Sequence, residues 1–260
     1  MIETVRDYYN GYDEDARLAS KRGRVEFLTT MRYIEKYIAP GARVCEIGAG
    51  TGRYSLALAR MGYPVDAVEL LEHNIDVFRQ NMRLGEGVTV RQGDARDLSF
   101  LKDGTYDMTL LLGPLYHLFT EADKLRALSE ALRVTKPGGI LMVAYCIADA
   151  TILESGFVKG QIGALIEGGL IDPVTFRAAS RPEEVFELHR KEDVDGLMAG
   201  FPAERLDYVA TDLYTKHMRA TVEEMDDETF SLYLRYHFSI CERPDMVGMT
   251  HHSLDIHRKR

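Results

Sequence analysis

The chain has 260 residues, of which 32 are basic and 41 acidic, and its formal net charge is −9 at pH 7. With 45% hydrophobic and 28% charged residues, the composition excludes a collagenous, disordered or low-complexity chain, and this length can bury a large core without disulfides or metals. The acidic balance argues against a nucleic-acid partner, because affinity for phosphate backbones comes from Lys and Arg.

The first part of the chain predicts two helices followed by a regular alternation. Residues 3–38 contain both helices, and Pro40 and Gly41 end the second. Predicted strands then follow at 43–47, 65–68, 88–91, 108–112 and 140–145, and the helices between them run through 56–61, 74–84 and 124–132. Strands that alternate with helices predict a parallel sheet covered on both faces.

Glycines interrupt the segment 148–190, which we interpret as a lid inserted after the fifth strand. Regular patterns resume with a helix at 193–199, a strand at 206–210, a long helix at 227–241 and a last strand at 253–257; the acidic run 223–228 should begin the long helix. The predicted organisation is a helical cap over 1–40, an α/β core over 41–147, the lid over 148–190, and the rest of the core sheet over 191–260.

A glycine-rich turn follows the first predicted strand. It reads Glu46-Ile47-Gly48-Ala49-Gly50-Thr51-Gly52 and leads into a helix. Glycines allow a sharp turn and leave no side chain between the backbone and a ligand. A dinucleotide fingerprint would need glycine where Arg53 stands, and a phosphate loop would need a Gly-Lys pair, so the spacing disfavours both. The alternative without a ligand is a tight strand-to-helix turn.

Acidic residues follow the next two strands. Glu69 ends the second strand, where its carboxylate can accept hydrogen bonds from a ribose diol, and Asp94 follows the third, where it can accept from an exocyclic amine. Each acid alone could be a surface charge. Because the carboxyl ends of parallel strands lie at one edge of a sheet, the turn and both acids together predict a pocket for an adenosine without phosphates.

In this order, the motifs resemble the class I S-adenosylmethionine-dependent methyltransferases. The resemblance covers roughly residues 43–145 and includes Gly93-Asp94-Ala95 and the stretch 132–139. It implies a Rossmann-like, doubly wound sheet of seven strands whose final strand is antiparallel. It also implies S-adenosylmethionine as cofactor and S-adenosylhomocysteine as product. The cofactor-binding residues that it implies are Glu46, Gly48, Ala49, Gly50, Gly52, Glu69, Leu70, Asp94, Ala95 and Gly113.

The segment after the fourth strand reads Gly113-Pro114-Leu115-Tyr116-His117, and in this family it borders the transferred methyl group. Tyr116 and His117 are therefore candidates for orienting or deprotonating an acceptor during in-line displacement; alternatively, His117 only packs beneath the cofactor. The segment departs from the Asn/Asp-Pro-Pro-Tyr/Phe motif of methyltransferases that act on base or glutamine nitrogens. We therefore expect a small-molecule acceptor.

Two alternatives stay open: an RNA or protein methyltransferase, and a non-catalytic regulatory protein that binds the cofactor. Three tyrosines, Tyr8, Tyr9 and Tyr12, are candidates for closing the site. The histidines lack metal-binding spacing, so we expect no metal. The three cysteines are scattered, and neither a signal peptide nor an apolar run of 18 residues is present, so we expect a reduced, cytoplasmic protein without a membrane partner. Acceptor identity and oligomeric state have no signal in the sequence.

Overall fold

The computed structural model describes residues 2–11, 17 and 20–260. Its α-helices are α1 (Ile2–Asn10), α2 (Lys21–Tyr37), α3 (Arg53–Arg60), α4 (Glu72–Asn81), α5 (Glu121–Val134), α6 (Ala148–Thr151), α7 (Ile162–Glu167), α8 (Lys191–Met198), α9 (Arg219–Glu224) and α10 (Asp227–Ile240). Its strands are β1 (Val44–Ile47), β2 (Val65–Glu69), β3 (Val88–Gln92), β4 (Tyr106–Leu111), β5 (Thr135–Ile147), β6 (Leu188–His189), β7 (Ala203–Ala210) and β8 (His252–Lys259). A π-helix (Ile152–Val158) follows α6, and 3-10 turns occupy Pro114–His117, Pro182–Glu184, Leu213–Thr215 and Val247–Met249.

The sheet has the order β3-β2-β1-β4-β5-β8-β7, and the short strand β6 pairs with the end of β5. Strands β1 to β5 run parallel, whereas β8 is antiparallel to both β5 and β7. This confirms the predicted doubly wound sheet with an antiparallel final strand. The strand order reverses between β1 and β4, which is where open parallel sheets bind ligands.

The two faces of the sheet carry separate hydrophobic cores because successive strand side chains point to opposite faces. On one face, Val44 and Leu110 pack with residues of α2 and α3; on the other, Ile47 and Leu111 pack with residues of α5 and α8. The three cysteines are buried and free, as the sequence predicts. None of the helices in the described part of the chain is both long and apolar enough to cross a membrane.

Some predicted boundaries were wrong. The fifth strand, predicted over 140–145, begins earlier, at Thr135, so that Pro137-Gly138-Gly139 lies inside β5. These residues are the extra ones at an irregularity where the register with β4 shifts between Tyr106 and Met108. The acidic run 223–228 is divided between α9 and the start of α10. Only Asp226 caps α10, where its carboxylate accepts a hydrogen bond from the Thr229 backbone N–H at 2.7 Å.

A buried ion pair ties β7 to β8. The fully buried carboxylate of Asp255 accepts from Nε and Nη2 of Arg205 at 2.6 and 2.8 Å. We expect Arg205→Met to lower the free energy of unfolding by about 3 to 5 kcal/mol, because it removes the guanidinium group that pairs with a buried carboxylate. The exposed pair Arg243–Asp245 supplies the control: Arg243→Met should cost at most about 1 kcal/mol. Urea unfolding measures both, and equal losses would contradict this role for Arg205.

Candidate functional site

The glycine loop (residues 48–52) joins β1 to α3 at the point where the strand order reverses. A Cβ on Gly48 would lie 2.5 Å from Pro114 Cδ, and a Cβ on Gly52 would lie 2.6 Å from the ring of Phe78. Gly50 has φ +55°, but a Cβ there would meet no atom of the described residues within 4 Å. Gly48 and Gly52 therefore permit close packing, whereas Gly50 faces open space.

Glu69, the last residue of β2, fixes this loop in place. Its Oε2 accepts from the backbone N–H of Gly50 at 2.8 Å, and its Oε1 accepts from the backbone N–H of Leu71 at 3.0 Å and from Nδ2 of Asn74 at 3.2 Å. The side chain is 6% exposed, and burial raises its pKa in spite of these hydrogen bonds. The carboxylate thus connects the glycine loop to the start of α4.

Glu46 places a second carboxyl group beneath the loop. It is 1% exposed, and its Oε2 accepts from the backbone N–H of Ser55 at 2.9 Å and from the Ser55 hydroxyl. Burial, together with the nearby Glu69 carboxylate, raises the pKa of Glu46 to about 8. In the described part of the chain, no basic side chain lies within ion-pair distance of either glutamate. Hydrogen bonds are therefore the polar contacts that stabilise these two acids.

Asp94 follows β3 and is held by Arg96. Its Oδ1 accepts from the Arg96 backbone N–H at 2.9 Å, and its Oδ2 accepts from Arg96 Nη2 at 2.7 Å. Arg96 also reaches Asp123 at 3.2 Å. These bonds lower the pKa of Asp94, so the half-buried carboxylate is ionised and fixed in orientation.

One cavity, which we call the glycine-loop cavity, brings these residues together. The predicted site residues that line it are Glu46, Gly48, Ala49, Gly50, Glu69, Leu70, Asp94, Ala95, Gly113, Tyr116 and His117. Gly52 does not line it, because this glycine packs against Phe78. The role of each residue in binding stays a prediction.

His117 and Tyr116 both have their polar atoms engaged. A carbonyl only accepts, so the 2.9 Å contact with Val185 O requires a proton on His117 Nδ1; Nε2 then accepts from the Tyr9 hydroxyl at 3.1 Å. Burial lowers the pKa of His117 to about 4, so the ring is neutral at neutral pH. The Tyr116 hydroxyl donates to the carbonyl of Leu112 at 2.9 Å.

A second cavity, of about 460 Å³, lies beneath the segment predicted to be a lid, and we call it the lid cavity. Apolar side chains of that segment line it, including Ile152, Leu165, Ile171 and Phe186. Tyr8 and Tyr9 line it from the N-terminal side, whereas Tyr12 lies outside the described residues. Among the described residues, four line both cavities: Tyr9, Arg17, Glu26 and Tyr116.

An ionic cluster that we did not predict lies in the wall of the lid cavity. His252 Nδ1 is 3.0 Å from Asp212 Oδ2 and 3.7 Å from Glu26 Oε2, and Glu26 also pairs with Arg17 at 2.6 Å. The two carboxylates raise the pKa of His252 well above its ordinary value. Glu26, Asp212 and His252 lie close enough to hold a metal ion, but the protonated imidazole and Arg17 already balance both charges. Their sequence positions are too far apart to give a pattern.

A family model described as a methyltransferase domain matches residues 44–139. A possible histamine N-methyltransferase of Thermotoga maritima has a similar structure, with 21% identity, full coverage of both chains and a TM-score of 0.62. The same coverage and TM-score, at 16% identity, are found for the magnesium protoporphyrin IX methyltransferase of Synechocystis with bound S-adenosylhomocysteine. Residues 44–139 thus carry a methyltransferase domain, and the whole chain has the fold of S-adenosylmethionine-dependent methyltransferases.

Sequence relatives of the methyltransferase domain match over part of their length. A demethylmenaquinone methyltransferase of Clavibacter sepedonicus is 34% identical over 41% of this chain and 42% of its own. A ubiquinone biosynthesis O-methyltransferase of Xanthomonas campestris is 31% identical over 43% of this chain and 46% of its own. The chain thus spans less than half the length of these relatives.

The glycine-loop cavity fits S-adenosylmethionine, the cofactor of this family. The cofactor carries positive charge on its sulfonium and its ammonium group, and Glu46 and Glu69 supply two buried acids that have no basic partner among the described residues. Gly50 leaves the loop without a side chain on the cavity side. These two acidic side chains therefore favour a cationic ligand, whereas their negative charge would repel a pyrophosphate.

Gly52→Ala tests the packing role of this glycine. We expect a loss of about 2 to 4 kcal/mol in the free energy of unfolding, because the new methyl group would overlap Phe78 in a left-handed backbone conformation. Gly62 is the matched control, since its φ of +91° is similar to the +88° of Gly52 and a Cβ there meets open space; Gly62→Ala should cost about 1 kcal/mol. Equal losses in thermal or urea unfolding would contradict the packing role.

The buried carboxyl of Glu46 should give ligand-free stability a distinct pH dependence. From about pH 4.5 the unfolded chain ionises this group, whereas the folded protein keeps it protonated up to about pH 8, so stability is lost as the pH rises through this window. Glu46→Gln cannot ionise and should become more stable relative to the unsubstituted protein between pH 5 and pH 8.

Urea unfolding at several pH values measures this difference, with Glu72→Gln as the control on the exposed start of α4. The control should follow the unsubstituted protein at every pH. A constant difference between Glu46→Gln and the unsubstituted protein across the window would show that Glu46 is not a buried neutral acid.

Proposed function

We propose that the protein transfers the methyl group of S-adenosylmethionine to a small-molecule acceptor bound in the lid cavity. The observation that carries this proposal is the shared wall between the two cavities, formed by Tyr9, Arg17, Glu26 and Tyr116. An acceptor in the lid cavity would approach the cofactor across this wall. Methyl transfer requires such an alignment of two bound molecules.

S-adenosylmethionine, when bound, supplies an electrophilic methyl group, so the chain needs no nucleophile of its own. In our proposal Glu46 and Glu69 oppose the positive charge of the cofactor, with Glu69 also reaching the ribose hydroxyls. Asp94 and the Ala95 backbone would hold the adenine. The rigid hydrogen bonds of Glu69 and Asp94 support these roles, because they fix both carboxylates before a ligand arrives.

We assign His117 a positioning role. Its Nδ1 is anchored on Val185, from the predicted lid, and its Nε2 accepts from Tyr9, so the neutral ring connects the lid to the N-terminal helix α1. Tyr116, one residue earlier, contributes its ring to the wall between the cavities. Together with the apolar side chains of the lid, these residues would exclude water and orient the acceptor.

The apolar part of the lid cavity favours a small acceptor over RNA or a protein. Side chains of the lid segment, among them Ile152, Leu165 and Phe186, offer a surface that suits a small molecule with a hydrophobic body. The activities of the relatives described above, which act on quinone precursors and a porphyrin by their names, support the same class of acceptor.

Glu69→Gln should weaken binding of S-adenosylhomocysteine by about ten- to a hundredfold, because it removes charged hydrogen bonds at the cofactor site. The control is Glu72→Gln, an exposed acid three residues further along the chain, which should leave the affinity unchanged. Isothermal titration calorimetry gives both values. Equal affinities in the unsubstituted protein, Glu69→Gln and Glu72→Gln would show that Glu69 does not contribute to cofactor binding.

The acceptor class is tested with methyl-labelled S-adenosylmethionine. We expect label transfer to members of a metabolite panel and none to total RNA or to unfolded proteins. Transfer to RNA, suppressed by salt, would instead support a macromolecular acceptor. Tight cofactor binding without transfer to any substrate would support the regulatory alternative and contradict our proposal.

A further inference from the structure

The lid cavity contains further polar groups, which belong neither to the ionic cluster nor to the lining of the glycine-loop cavity. Lys216 and His251 both line the cavity, and Glu154, on the π-helix, lies close to both. The Glu154 Oε2 atom is 3.9 Å from Lys216 Nζ and 3.5 Å from His251 Nε2. We call these three residues the hydroxyl subsite, for the reason given below.

His251 lines this cavity, and one nitrogen of its buried ring is left without a hydrogen bond in the described part of the chain. The Thr151 hydroxyl donates to the carbonyl of Ile147 at 3.1 Å, so its oxygen is left to accept from His251 Nδ1–H at 3.3 Å. Nε2 then carries only a lone pair. The side chain is 1% exposed, and Nε2 has no hydrogen-bond partner among the described residues. A buried acceptor of this kind normally finds a donor.

Lys216 presents donors at the same place. Its ammonium group donates no hydrogen bond to any residue that the structure describes, since the 3.9 Å separation from Glu154 exceeds hydrogen-bond distance. The negative charge of Glu154 is already shared with Arg219, whose Nη2 lies 2.6 Å from Oε1. Burial lowers the pKa of Lys216, as expected for an ammonium that lacks close partners.

The arrangement discriminates between ligand groups. A carboxylate could accept from Lys216, but it would place its lone pairs against those of His251 and Glu154. An ammonium group would satisfy those two acceptors and be repelled by Lys216 and Arg219. A hydroxyl accepts from Lys216 and donates to the lone pair of His251 Nε2, so it satisfies a donor and an acceptor without a change in charge.

We propose that the hydroxyl subsite binds a hydroxyl group of the methyl acceptor, whose apolar body lies along the lid. This inference rests on the proposed function, and it narrows the acceptor to an alcohol or a phenol with a hydrophobic body. The apolar lining of the cavity, from Ile152 and Ile171 to Phe186, supplies the contact surface for that body. The subsite is formed by residues that do not line the glycine-loop cavity.

A matched set of probes tests the proposal in the presence of saturating S-adenosylhomocysteine. The probes are 4-propylphenol, its methyl ether, propylbenzene and 4-propylbenzoate, and calorimetry measures their affinity for the full chain. We expect the phenol to bind at least about tenfold more tightly than the ether, the hydrocarbon and the benzoate, the ratio that one well-placed hydrogen bond gives. No binding of the phenol, equal affinity for phenol and ether, or tighter binding of the benzoate would overturn the proposal.

Variants assign the preference to the subsite. Lys216→Met and His251→Phe should each reduce the preference for phenol over ether to less than about threefold. Lys159→Met is the control, because Lys159 also contacts Glu154, at 3.4 Å, but is exposed and does not line the cavity. The control should keep the full preference. Preference retained in Lys216→Met and His251→Phe would overturn the assignment.

A measurement on the unsubstituted protein covers the case in which a variant does not fold. The ¹⁵N resonance of His251 Nε2 should have the shift of an unprotonated nitrogen and should move when the phenol binds but not when the ether binds. A protonated Nε2, or an unchanged shift, would contradict the subsite. Because S-adenosylhomocysteine binding is measured separately, failure here leaves the proposed methyltransferase function standing, whereas failure to bind the cofactor would remove both.

Discussion

Two buried carboxyl groups at the glycine loop, those of Glu46 and Glu69, are the constraint on which the site depends. Removing such groups from water is costly unless a proton, hydrogen bonds or an opposite charge compensates. Here hydrogen bonds from Ser55, Gly50 and Leu71 compensate in part, and the raised pKa of Glu46 shows that a proton supplies the rest. A cationic ligand would replace that proton. The same two acids therefore determine both the hydrogen bonds around the glycine loop and the preference for a cationic ligand.

The sequence predicted the positions of the glycine loop and of Glu69 because both obey local rules. A glycine loop after an apolar strand and an acid at the next strand end are short-range patterns, and the parallel sheet brings them to one edge. The predicted doubly wound sheet with an antiparallel final strand was confirmed, and all but one of the predicted cofactor residues line the cavity. Gly52 is the exception, because the same residue type also serves where the backbone must pass close to a neighbour such as Phe78.

The lid cavity could not be predicted in the same way. Glu26, Asp212 and His252 come from α2, from the loop after β7 and from the first residue of β8, and only the folded sheet brings them together. The pairing of β6 with β5 gave no signal either, since two residues are too few for a strand pattern. Long-range ionic contacts of this kind depend on tertiary structure rather than on spacing, which is why the histidines seemed dispersed in the sequence.

The most direct test of the account is the proton count when S-adenosylmethionine binds at pH 6.5, where the ligand's own amino group is already protonated. Calorimetry in buffers of different ionisation enthalpy gives this number. If the cation displaces the proton of Glu46, the unsubstituted protein should release a proton on binding and Glu46→Gln should release none. Identical proton counts in the two proteins, or no binding to either, would contradict the account.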